Sequence, residues 1–228
     1  MKIEDSNYVY YGKQNILTKL RSLIALRARK RLYFHFLKCC QPTAADLIID
    51  IGVTPDINFP ESNLFEKNYP FADRITATSI EDVSELEKMF PDIKFMQTMP
   101  YSLPFADQHF DCLFCNAVVE HTGAYEQQLA FIQECTRISR KFFFTTPNRW
   151  FPIEMHSILP FVHWLPQKKF RKILCLLGKS DLACEENLNL LTIKQFKALF
   201  PPEVKIQVTK IYTFGWISNL IVSGEWVN

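Results

Sequence analysis

Short apolar runs and helically spaced apolar stripes alternate along most of this chain. Residues 47–51 (LIIDI) form an apolar run interrupted by one acid and followed by Gly52 and the turn-forming 53–56 (VTPD), which predicts a buried strand feeding a tight turn. The β-branched stretch 75–80 predicts a second strand, 93–97 a third, 110–117 a fourth and 141–146 a fifth, ended by Pro147. Between them, 63–68 suits a short helix. Residues 81–90 place Val83, Leu86, Met89 and Phe90 at helical spacing, and 125–140 does the same with Leu129, Ile132, Cys135 and Ile138. Strands alternating with helices predict a doubly wound parallel sheet. Residues 204–212 and 218–226 then read as two strands joined by 213–217, an antiparallel hairpin closing the sheet, and Thr192 with Gln195 predicts a capping box on the helix before it.

Two regions depart from this rhythm. Residues 13–38 carry eight basic side chains and no acid, with Ile16, Leu17, Leu20, Leu23, Ile24, Leu26 and Leu32 at roughly helical spacing, so a basic amphipathic helix or two is expected within an N-terminal extension, 1–44. It is read as a cap over the sheet or as a contact for an anionic membrane surface. Residues 148–180 are long for a connection and rich in aromatics, which predicts a lid or acceptor-side insertion within a domain spanning 45–228.

Composition narrows the class. In 228 residues, 48% are hydrophobic and 22% charged, values of a globular chain. A net charge of +2 without a base-reading motif gives no reason to expect a nucleic-acid partner. The polar start MKIEDSNYVYYGK lacks the apolar core of a signal peptide, and seven scattered cysteines suit reduced thiols, so a cytoplasmic protein is expected, either free or peripheral to a membrane through the basic helix. Cys112 and Cys115 fall on opposite faces of a strand and have no second pair, so no metal is expected there.

The most specific stretch is 102–123, SLPFADQHFDCLFCNAVVEHTG. Its Leu103–Pro104–Phe105, Asp107, Phe110–Asp111 and Glu120–His121 resemble the run found in class I S-adenosylmethionine-dependent methyltransferases of the type 11 group. The resemblance extends from about residue 45 to the C-terminus. It implies a Rossmann-like seven-stranded, mostly parallel sheet with a C-terminal antiparallel hairpin, and S-adenosylmethionine as cofactor. It also implies transfer of a methyl group to a small-molecule, lipid-like or glycan acceptor; the other reading is a catalytically inactive binding or scaffold protein on the same fold.

Carried over residue by residue, the resemblance keeps Asp50 and Gly52 of the glycine-rich cofactor loop but puts Thr54 and Asp56 where further glycines are usual. The acid that usually ends the second strand and holds the ribose is replaced by Ser79, with Glu81 two residues on. Met99 stands where an acid usually meets the adenine, and Asn116 ends the fourth strand. His121 is the first candidate base, Glu120 its support, and His156 or His163 of the insertion a base or acceptor contact. Trp150, Phe151 and Trp164 are candidate walls of an apolar acceptor site, or simply the insertion's own core.

Overall fold

A computed structural model of the chain describes residues 16–227, with side chains from residue 22 onward. Lys13 and the polar segment 1–12 lie outside the described residues, as do the side chains of Ile16, Leu17, Lys19, Leu20 and Arg21. A long helix, α1 (Ile16–Cys40), precedes β1 (Ile48–Ile51), and α2 (Leu64–Asn68) leads to β2 (Ile75–Ser79). After these come α3 (Ser84–Met89), β3 (Lys94–Gln97), β4 (Phe110–Asn116), α4 (Tyr125–Arg137) and β5 (Ser139–Pro147). Beyond the insertion and its α5 (Gln167–Leu176), α6 (Ile193–Ala198) precedes β6 (Val204–Thr213) and β7 (Trp216–Trp226).

The sheet runs in the order β3-β2-β1-β4-β5-β7-β6, parallel through β5 and antiparallel for the last two strands. Strand alternation divides the core between the two faces. Ile48, Cys112, Phe114 and Phe143 pack on one side with α1, α2 and α3, whereas Ile49, Leu113, Cys115, Phe142 and Phe144 pack on the other with α4 and α6. The opposite faces expected for Cys112 and Cys115 are those observed.

Helix α1 buries a stripe that the leucine spacing did not emphasise. Leu32, Tyr33, Phe36 and Cys40 are buried, and Phe36 meets Phe65, Phe114 and Phe143 edge-on at 5.3–5.8 Å. Leu23 is exposed instead, in one stripe with Arg27, Lys30 and Phe34. Two of the basic residues reach backbone carbonyls: Arg29 donates to Glu61 O at 2.7 Å and Arg31, at the surface, to Tyr212 O at 3.0 Å.

Element ends moved where hydrogen bonding overrode periodicity. The helix expected over 125–140 stops at Arg137, because Arg137 O and Ile138 O accept from Gln108 N and Phe110 N and start the β4–β5 ladder. The last hairpin is tighter than 213–217, since both strands run on to a two-residue turn. Phe214 and Gly215 have φ of 51° and 80° there, the backbone such turns require. The capping box of Thr192 and Gln195 is present.

Candidate functional site

The chain's polar chemistry gathers at the carboxyl edge of the sheet, where β1, β2 and β4 end side by side. Gly52 leaves β1 with φ +92°, a left-handed turn open to glycine, and a Cβ there would collide with Val118 Cγ2. The Gly52 and Val53 amides both donate to Thr78 O, at 2.8 and 3.1 Å. This turn is therefore fastened to the end of β2 and covered by the segment after β4.

Substitutes for the missing glycines are visible further along the loop. Asn63, itself left-handed at φ 50°, accepts from the Thr54 amide at 3.2 Å and donates to its carbonyl at 2.8 Å. Asp56 accepts from the Asn58 amide at 2.8 Å, which closes a local turn. Asp50 is buried within β1 and faces Glu66 of α2, also buried. Burial, then the adjacent Glu66 carboxyl, pushes Asp50 well above the ordinary range, and burial raises Glu66 as well. Both carboxyls are thereby biased toward the protonated form, with the Arg29 charge offsetting part of the shift.

At the end of β2, the Ser79 hydroxyl accepts from the Glu81 amide at 3.1 Å, and partial burial lifts the Glu81 carboxyl above its usual range. Met99, just past β3, is 70% exposed and presents an apolar surface where an acid was missing. Asn116 ends β4 and accepts from the Thr145 hydroxyl at 2.6 Å. These groups lie at the strand ends of a parallel sheet, the edge at which such sheets bind their ligands.

Beyond β4 the chain turns through Ala117, left-handed at φ 58°, into the 3-10 turn Val119–His121. Glu120 is fully buried; one carboxylate oxygen accepts from the Thr146 hydroxyl at 2.9 Å and the other, Oε1, has no partner. Burial pushes its pKa up to about 7. His121 Nδ1 lies 2.6 Å from Asn187 O, and its Nε2 lies 3.1 Å from His156 Nε2. Burial, with the charge of His156, pushes His121 down to about 4, so it is neutral at physiological pH. His156 Nδ1 lies 2.6 Å from Glu154 Oε1, and Ser157 N donates to the other oxygen of the same carboxylate. Burial alone would raise Glu154, but these hydrogen bonds and the His156 charge hold it at about 2.

The insertion therefore brings His156 to His121. His163 is instead a buried strut whose Nε2 meets Phe151 O at 2.7 Å, with its pKa lowered by burial. Trp164 joins Trp150, Phe161 and Trp216 in an aromatic cluster with ring centroids 4.9–6.3 Å from it. Three of those rings (Trp150, Phe161, Trp216) are about half exposed, while Phe170, Leu174, Leu182, Leu188 and Leu190 form the insertion's own small core.

Several contributors escaped the sequence reading. Glu134 and Arg137 of α4 clamp the LPF loop: Glu134 accepts from Leu103 N at 2.7 Å, and Arg137 donates to Phe105 O at 2.9 Å and Asp107 at 2.7 Å. Their i,i+3 spacing was the available signal. Glu154, two residues before His156, and Asn187 with Asn189 had none, because only the fold brings 187–189 beside 119–123.

Comparison with known proteins agrees with this architecture. Residues 70–141 match the profile of a methyltransferase domain. A comparison with curated proteins finds no match. Among solved structures, an S-adenosylmethionine-dependent methyltransferase from Methanosarcina mazei superposes with a TM-score of 0.53 at 14% identity, covering 82% of this chain and 95% of its own. Magnesium protoporphyrin IX methyltransferase from Synechocystis, bound to S-adenosylhomocysteine, gives 0.60 at 11% identity over 96% and 91%. The 1,6-didemethyltoxoflavin-N1-methyltransferase of Burkholderia thailandensis, with its substrate and S-adenosylhomocysteine, gives 0.56 at 9% over 93% and 89%. The fold is that of class I methyltransferases, as residues 102–123 led us to expect.

Proposed function

We propose that this chain is an S-adenosylmethionine-dependent methyltransferase acting on a small-molecule acceptor. One observation carries the reading: the Gly52 turn, Ser79 and the 116–121 segment converge at one edge of a sheet with the methyltransferase strand order. The solved structures that share the fold support it, since two of them hold S-adenosylhomocysteine and one also holds a small heterocyclic acceptor.

When bound, the cofactor supplies an electrophilic methyl group on sulfur. Glu81 and Ser79 would hold the ribose, Met99 would lie against the adenine, and the turn 52–56 with Asn116 would border the methionine end. The half-exposed aromatic cluster around Trp164 supports an apolar acceptor. Glu120, His121 and His156 supply the polar floor on the acceptor side. The exposed stripe of Leu23, Arg27, Lys30 and Phe34 supports delivery of a lipid-like acceptor from an anionic surface.

Isothermal titration with S-adenosylmethionine and S-adenosylhomocysteine tests the reading, with binding expected at micromolar to sub-millimolar concentration. Absence of heat and of thermal stabilisation at millimolar ligand would reject it. The second reading, a binding module that keeps the fold without the cofactor, draws on the loop amides at Gly52 and Val53 being already bonded to Thr78. That module predicts no ligand heat.

A further inference from the structure

Two histidines approach each other here Nε2 to Nε2, beside a buried carboxylate. Both rings use Nδ1 toward an oxygen, Asn187 O at 2.6 Å and Glu154 Oε1 at 2.6 Å, and neither oxygen carries a proton to give. Each Nδ1 is therefore an N–H, and the two Nε2 atoms face each other across 3.1 Å, where either one proton, carried by a charged His156, or a metal ion can bridge them. Beside them lies the fully buried carboxylate of Glu120, whose Oε1 has no partner.

We propose that Glu120, His121 and His156 bind a divalent ion of the zinc class. Their three ligand atoms already lie within 4.8 Å of one another. Bonds of 2.0–2.1 Å to a tetrahedral ion place ligand atoms roughly 3.3 Å apart, so the histidine pair is near its final spacing and only the Glu120 carboxyl must close in. The outer shell is that of a built site. Metal-bound histidines typically donate their second N–H to a carbonyl or carboxylate, which Asn187 and Glu154 provide, and the Thr146 hydroxyl steadies Glu120. Charge balances too, because a dication beside Glu120 and Glu154 neutralises two carboxylates that are otherwise buried.

Imidazole and carboxylate donors without thiolate suit zinc or its neighbours in the first transition row better than magnesium or calcium. Three protein ligands leave an open position. We assign it to a water or to the oxygen of a hydroxyl-bearing acceptor, whose pKa the ion lowers. That assignment narrows the acceptor class and rests on the methyltransferase reading; the ion site does not. The absence of a metal expected from sequence rested on the cysteine spacing. His156 lies 35 residues after His121, so no short motif betrays the site.

The test uses the untagged full chain with Cys175 and Cys184, its exposed thiols, changed to serine. After chelator treatment it is titrated with Co2+, followed by visible absorption, and with Zn2+, followed by calorimetry. One equivalent is expected, with a cobalt spectrum of nitrogen and oxygen ligation. His156→Ala should abolish binding, Glu120→Gln should weaken it, and Glu154→Gln should weaken it by about 10–100-fold. His109→Ala, at a distant histidine, should leave it unchanged. A folded chain that binds no ion, or binds equally well after His156→Ala, overturns the proposal. S-Adenosylmethionine binding by the ion-free chain is read separately, so loss of the ion site and loss of the methyltransferase reading give different results.

Discussion

The loop that follows β1 and the loop that precedes β4 lead to opposite edges of the sheet, and they are held in different ways. The segment around Leu103–Phe105 keeps the family's residues and is clamped from α4, through Glu134 and Arg137, with Asp111 accepting from Leu47 N at 3.0 Å at the start of β1. The Gly52–Asn63 loop lacks the further glycines that the resemblance led us to expect and is held by its own side chains, with Asn63 clasping Thr54 and the buried carboxyls of Asp50 and Glu66 beside each other. The first loop relies on charge-assisted bonds to a helix that packs on the sheet, the second on local bonds beside a buried pair of acids.

The largest effect that separates the two is expected at Gly52. Gly52→Ala meets both the left-handed backbone and Val118, and should destabilise by about 2–4 kcal/mol and abolish cofactor binding. Val118→Ala in the same chain should recover part of the loss, read by urea denaturation as a double-mutant cycle. Full additivity would show that the Val118 contact does not matter.

Arg137→Ala should cost about 1–3 kcal/mol, because it frees the Glu134 and Asp107 carboxylates and two loop carbonyls, with solvent access to Arg137 limiting the loss. Cofactor affinity should fall with it, through the adenine side, more than after Asn63→Ala.

Glu66→Gln should have the opposite sign. The raised carboxyls of Asp50 and Glu66 mean that the folded chain holds more protons than the unfolded one between the ordinary carboxylate range and their raised values. Stability therefore falls as pH rises through that window. Removing one acid should stabilise by about 1–3 kcal/mol at pH 8, with the gain vanishing near pH 4. Denaturation curves across pH check this; a pH-independent difference would argue against raised carboxyls.

Met99→Asp is the smallest and sharpest change. It puts an acid at an exposed position on the proposed adenine side, and one added hydrogen bond should tighten S-adenosylmethionine binding by up to about tenfold. No change would place the adenine elsewhere.

Sequence patterning determined a great deal of this protein. The apolar run into Gly52, the helical stripe of α4 and the Thr192 capping box are local signals, and they appear where the spacing put them, whereas Met89 of the stripe expected in α3 is exposed. Helix ends such as Arg137, and the burial of Phe36 rather than Leu23, were decided by partners distant in sequence. The same holds at the site. Gly52, Glu120 and His121 were legible as candidates because each sits in a recognisable run. That Asp50 faces Glu66, that His163 is a strut, and that His156 and Glu154 reach His121 across the insertion depended on chain closure. Spacing along a chain records which face a residue occupies; only the folded chain decides what meets it there.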